Sequence, residues 1–121
     1  MLLDENKILV VGGKNQNAVD LKSTEIINFS TNTTKIGADL IEPRSEFGLV
    51  FVGPQNSSQN THILAIAGNS NGFKLKSVEK WIIDQERWEK QLYSLTKESS
   101  GFGYLAVPQK VLDPQFQGKY N

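Results

Sequence analysis

The sequence predicts an all-β protein of about two four-stranded antiparallel units, and three pairs of matching segments carry that prediction. Ile8-Leu9-Val10-Val11-Gly12-Gly13 is answered by Ile63-Leu64-Ala65-Ile66-Ala67-Gly68, with Gly13 and Gly68 standing 55 positions apart. Ser23-Thr24-Glu25-Ile26-Ile27-Asn28-Phe29 is answered by Ser77-Val78-Glu79-Lys80-Trp81-Ile82-Ile83 at an offset of 54. Phe47-Gly48-Leu49-Val50-Phe51-Val52 is answered by Phe102-Gly103-Tyr104-Leu105-Ala106-Val107, again at 55. A unit of roughly 50 residues made of short apolar runs marks an array of small sheets.

Each element has a local reason. Residues 7–11 form an apolar run closed by Gly12 and Gly13, which reads as a buried strand. The paired glycines permit positive φ and a close approach of backbone. Residues 14–22 are polar loop. Residues 24–29 form the second strand, with Ile26, Ile27 and Phe29 around Glu25 and Asn28. Ser30, Thr31, Asn32 and Thr33 supply turn chemistry. Residues 35–41 read as a weaker third strand, stopped by Pro43. Residues 46–52 are the fourth, stopped by Gly53-Pro54. After the polar loop 55–61 the cycle restarts at Ile63. The loop 69–76, the strand 77–83, the turn 84–87, the outer strand 88–95 and the last strand 102–107 follow. Residues 1–6 read as a lead-in, 7–107 as the repeats and 108–121 as an extended arm. Glu, Lys, Gln, Arg and Leu over residues 79–95 would also suit a helix. The β-rich cluster Trp81-Ile82-Ile83 and its strand-like partner favour strand.

Composition removes several function classes. Thirteen basic residues balance thirteen acidic ones, so no basic face is offered to nucleic acid. The absence of cysteine excludes disulfides and thiolate metal sites and fits a reducing compartment. Asp4 and Glu5 interrupt the first apolar residues, unlike a secretory leader. No run approaches the roughly 20 apolar residues that span a bilayer. The expectation is a soluble cytoplasmic protein without membrane insertion, and the sequons at Asn28, Asn32 and Asn56 are discounted.

These segments resemble the kelch repeat of β-propellers. That pattern is an apolar run ending in Gly-Gly, a Glu early in the next strand, an aromatic, a turn, a Trp, and an Arg ahead of a further strand. Ile8 to Gly13, Glu25, Phe29 and Pro43-Arg44 match it in the first copy, and Ile63 to Gly68, Glu79, Trp81 and Trp88 in the second. Ala67 replaces a glycine, Thr34 stands where Trp88 stands, and Glu98 replaces the arginine that answers Arg44. The resemblance implies a partial kelch-type propeller of about two blades. Glu25 and Glu79 would sit inside, satisfied by donors or a cation, and Trp81 and Trp88 would fill the space between blades. The family's strand phase makes 102–107 an inner strand that closes the first blade. Two blades leave apolar faces and open edges, so other protein chains must complete the structure, by self-assembly or in a larger complex.

Catalytic patterns are absent. His62 is the sole histidine and opens a strand beside a polar loop. Gly101-Phe102-Gly103-Tyr104-Leu105-Ala106 fits a G-x-G-x-x-A string but is followed by a strand rather than a helix. Asp4 with Glu5, Asp39 with Glu42, and Asp84 with Glu86 read as solvated turns, where general acid–base work lacks the desolvation it needs. No nucleophile elbow occurs. The expectation is a non-catalytic interaction or scaffold module with no cofactor and no metal. Its candidate partner-binding loops carry Asn15 and Asn17, Gln55 and Asn56, and Asn71 and Phe73. The alternatives are a fragment of a longer kelch protein, such as a ubiquitin-ligase substrate receptor, or a propeller enzyme.

Overall fold

The computed structural model describes residues 2–4, 6–52 and 62–101. Residues 53–61, with Gln55 and Asn56, and the expected strand 102–107 and arm 108–121 lie outside the described residues. The described chain is all-β: two four-stranded antiparallel sheets that do not close into a barrel. The first holds β1 (Leu2–Asp4), β2 (Lys7–Val11), β3 (Thr24–Asn28) and β4 (Thr33–Ile36) in that order. The second holds β5 (Gly48–Val52), β6 (His62–Ser70), β7 (Phe73–Ile82) and β8 (Arg87–Ser99). A single 3-10 turn, Ile83–Gln85, joins β7 to β8, and no helix forms over 79–95.

The repeat shows directly in the sheets, because β2 and β3 answer β6 and β7. Several boundaries differ from the sequence reading, four of them by more than two residues or in kind. Residues 2–4 are not a lead-in: they pair with β2, Leu2 opposite Ile8 and Asp4 opposite Lys7. The edge of β2 that 102–107 was expected to complete therefore already carries β1. The third strand ends at Ile36; the Gly37 N–H still donates to the Thr24 carbonyl beside it, and beyond Gly37 the chain leaves the sheet, with the Leu40 N–H donating to the Lys22 carbonyl. This lets Leu40 drop into the core instead of continuing the strand. The expected loop 69–76 is the tip of the β6–β7 hairpin, with Ser70 paired to Phe73 around Asn71-Gly72. Asn71 and Gly72 have φ of 47° and 97°, the doubly positive geometry of a type I′ turn. The outer strand runs on to Ser99, and Leu92 on it is fully exposed.

The sheets stack face to face. Alternation along β2 and β3 sends Leu9, Val11, Thr24 and Ile26 to one side. On the second sheet Ile63, Ala65, Trp81 and Trp88 point back at them. Leu9, Ile26, Leu40, Ile63, Ala65, Trp81 and Trp88 make one core, with Val11, Phe47 and Leu49 packed on it. The two tryptophans meet edge to face, ring centroids 5.2 Å apart. The Trp88 Nε1–H donates to Thr24 Oγ1 at 3.0 Å, a buried bond between sheets. Tryptophan in the core thus keeps its polar handle satisfied.

Candidate interaction site

Residues 41–47 connect the sheets, and the junction is built on them. Arg44 and Glu79 are both fully buried, and Arg44 Nε donates to Glu79 Oε2 at 2.9 Å. Two backbone N–H groups complete the carboxylate: Ile41 to Oε1 at 2.6 Å and Glu42 to Oε2 at 3.2 Å. The rest of the guanidinium is spent on the second sheet. Nη1 donates to the carbonyls of Ala67 and Ser77, and Nη2 to Ser77 Oγ. Ser77 in turn donates to Glu42 Oε1, which Lys90 Nζ approaches at 3.2 Å. A buried charge is tolerable when it is paired and its hydrogen-bonding capacity is filled. Both conditions hold here.

The glycines explain how the linker gets so close. Gly12 has φ 57°, and a Cβ there would lie 2.6 Å from the Arg44 carbonyl oxygen. Gly68, at φ 95°, faces the same linker from the other sheet, where a Cβ would meet Ser45 O and Phe47 Cβ at 2.6 Å. Gly13 has φ 97° and open space around it, so conformation alone favours glycine at that position. Ala67, where the repeat replaces a glycine, takes φ 56° all the same.

A second contact between the units was not anticipated. Asn71 N–H donates to Asp20 Oδ2 at 2.6 Å, and Asp20 N–H donates to Asn71 Oδ1 at 3.1 Å. Lys14 Nζ lies 3.4 Å from Asp20 Oδ1. The Ser45 hydroxyl first, then the Asn71 N–H and the Lys14 ammonium, hold the Asp20 carboxyl below its ordinary range despite burial. Burial raises the Glu42 pKa, but Ser77, Lys90 and Arg44 together outweigh it and bring the carboxyl below its ordinary range.

The sequence-derived positions therefore divide. Gly12, Arg44, Gly68, Glu79, Trp81 and Trp88 converge on the junction. Glu25 does not: it is exposed on the outer face of the first sheet, contrary to the expectation that both glutamates lie inside. The reason is that burial of this position requires a sheet stacked in front of it, and among the described residues only Glu79 has one. Of the loop residues, Asn15 accepts from the N–H groups of Asn17 and Val19 and shapes its own turn. Asn17 is exposed, Asn71 is exposed too but exchanges hydrogen bonds with Asp20, and Phe73 stands 76% exposed on the hairpin. Asp20, Glu42, Ser77 and Lys90 were missed. The Asn-Gly dipeptide was the available signal for the hairpin that docks on Asp20.

Outside the junction, both sheets present apolar residues to solvent. The first shows Ile8, Val10, Ile27 and Ile36, with Ile36 79% exposed. The second shows Val50, Val52, Leu64, Ile66 and Ile82, beside His62 at the start of β6. Among the described residues no cluster of three His, Asp or Glu side chains is placed to hold a metal ion, and no helix is long and apolar enough to cross a membrane. No protein-family model matches the chain, and no curated protein matches it.

Proposed function

We propose that this chain is a non-catalytic interaction or scaffold module: two blades of a kelch-type β-propeller whose outer faces hold sheets of other proteins. One observation carries the reading. The chain builds a tightly satisfied junction between its two sheets, yet leaves aliphatic side chains on the outward side of each, Val10 and Ile36 among them. Contiguous exposed apolar surface on a sheet is where partners dock. The sequence repeat, the Gly12-Gly13 turn and the two four-stranded antiparallel sheets support the kelch assignment.

The test is light scattering, circular dichroism and binding of an apolar fluorescent dye such as ANS on the purified chain. The expected result is a folded, β-rich protein that binds the dye. Ile36→Glu should remove much of that binding without lowering the melting temperature. A folded monomer that binds no dye would overturn the proposal.

A further inference from the structure

The outer face of the first sheet has a template inside the same molecule. Ile8, Val10, Glu25, Ile27, Thr34 and Ile36 lie on that face. At offsets of 55 on β2 and 54 on β3 and β4 they answer Ile63, Ala65, Glu79, Trp81, Trp88 and Lys90. Those six line the face of the second sheet that the first sheet covers. What covers it is an aliphatic surface, Leu9, Val11 and Ile26, together with a linker that brings Arg44 to the carboxylate. Glu25 holds the register position of Glu79, with the aliphatic Val10 and Ile36 opposite it where Glu79 has Ala65 and Lys90. Among the described residues it has no cation within ion-pair distance.

A second copy of this chain does not fit that template. The surface it would bring is the outer face of the second sheet, where Lys80 answers Ile26 and Val78 answers Thr24. No hydroxyl would then meet a tryptophan, and Thr34 supplies no tryptophan in any case. The arginine is also missing. The Arg44 N–H donates to the Leu21 carbonyl, and Leu75, which answers Leu21 at an offset of 54, is paired with Ser99. Ser99 thus occupies the place of Arg44, with Glu98 beside it.

We propose, resting on the reading above, that this face receives a β-sheet of a partner polypeptide that supplies an arginine to Glu25, and that the partner is not a copy of this chain. The carboxylate in the middle of an aliphatic face then acts as a selector. Closing a sheet over it without a cation buries a bare charge, which is costly, whereas an arginine fork pairs with it.

The chain itself can be turned into the probe. Ser99→Arg places a guanidinium where the template has one, and sedimentation velocity reads the association. Ser99→Arg should self-associate roughly tenfold more tightly than the parent, in the range of a close interfacial charge pair. Adding Glu25→Gln should return it to the parental level. In the parent, Glu25→Arg should leave the mass distribution unchanged. Circular dichroism checks the fold, and Glu98→Arg, at an exposed neighbouring position, replaces Ser99→Arg if that variant melts early. No gain from either arginine in a chain that still binds ANS overturns this inference and leaves the interaction-module reading standing. A parent oligomer broken by Glu25→Arg also overturns it, by making a second copy the partner.

Discussion

Glu79 is fully buried and receives three hydrogen bonds, two from backbone N–H groups and one from Arg44. Removing its charge strands the guanidinium, for which the carboxylate of Glu42 at 3.9 Å is a poor substitute. Glu79→Gln should therefore cost about 3–5 kcal/mol of stability. Glu25→Gln, the same change at the matching exposed position, should stay within about 0.5 kcal/mol. Urea denaturation of both variants checks the contrast, and equal losses would count against the burial argument. The repeat showed that the two glutamates are equivalent. It could not show that, among the described residues, a sheet covers only Glu79, because burial belongs to the neighbouring sheet. Gly12 and Gly68 were legible as sites of close approach. Which backbone approached them, that of Arg44 and of residues 45–47, was not.

The β6–β7 hairpin is where one element departed most from the sequence reading. The sequence alone points to a loop at residues 69–76, since their counterpart, residues 14–22, is a polar segment with no strand pattern. In β6 and β7 the ladder instead runs past Gly68 to a two-residue turn, and Asn-Gly is the dipeptide that such turns prefer. The hairpin tip then reaches the first sheet, where Asn71 and Asp20 exchange hydrogen bonds. Asn71→Ala removes both a residue that tolerates positive φ and the acceptor for the Asp20 N–H. A loss of about 1–2 kcal/mol is expected, with faster amide exchange concentrated at residues 69–76. Exchange that rises evenly over the whole second sheet would contradict a local role. The sequence overextends the third strand for a related reason. Leu40 and Ile41 look strand-like in sequence, but Leu40 fills the core from a loop and Ile41 is largely exposed.

At the scale of the whole molecule, the two sheets share one core and two polar contacts, Arg44 with Glu79 and Asp20 with Asn71, so they should unfold together in a single transition. Acid should weaken these polar contacts first. Asp20 and Glu42 both have folded-state pKa values below their ordinary values of 3.8 and 4.5. Groups shifted downward contribute stability that is complete above the ordinary pKa and is lost as pH falls through the folded one. Melting temperature should hold from neutral pH down to about 4.5 and then decline. Asp20→Asn should melt lower at neutral pH and show a shallower acid limb. A melting temperature that stays flat or rises between pH 5 and 3, on the order of the carboxylate range, would contradict this. The all-β class and the pairing of two sheets were readable from the repeat alone. The clasp was not, since its Arg44 comes from one unit and its Glu79 from the other.

Residues 41–47 are at once the covalent tether between the sheets and the segment that grips Glu79 and lies against Gly12 and Gly68. A tether of this kind has no slack. Tension pulling the sheets apart would load the Arg44 hydrogen bonds together and in parallel, without first straightening a loose loop. The two sheets therefore meet a mechanical load as a single plate-on-plate joint rather than as beads on a string.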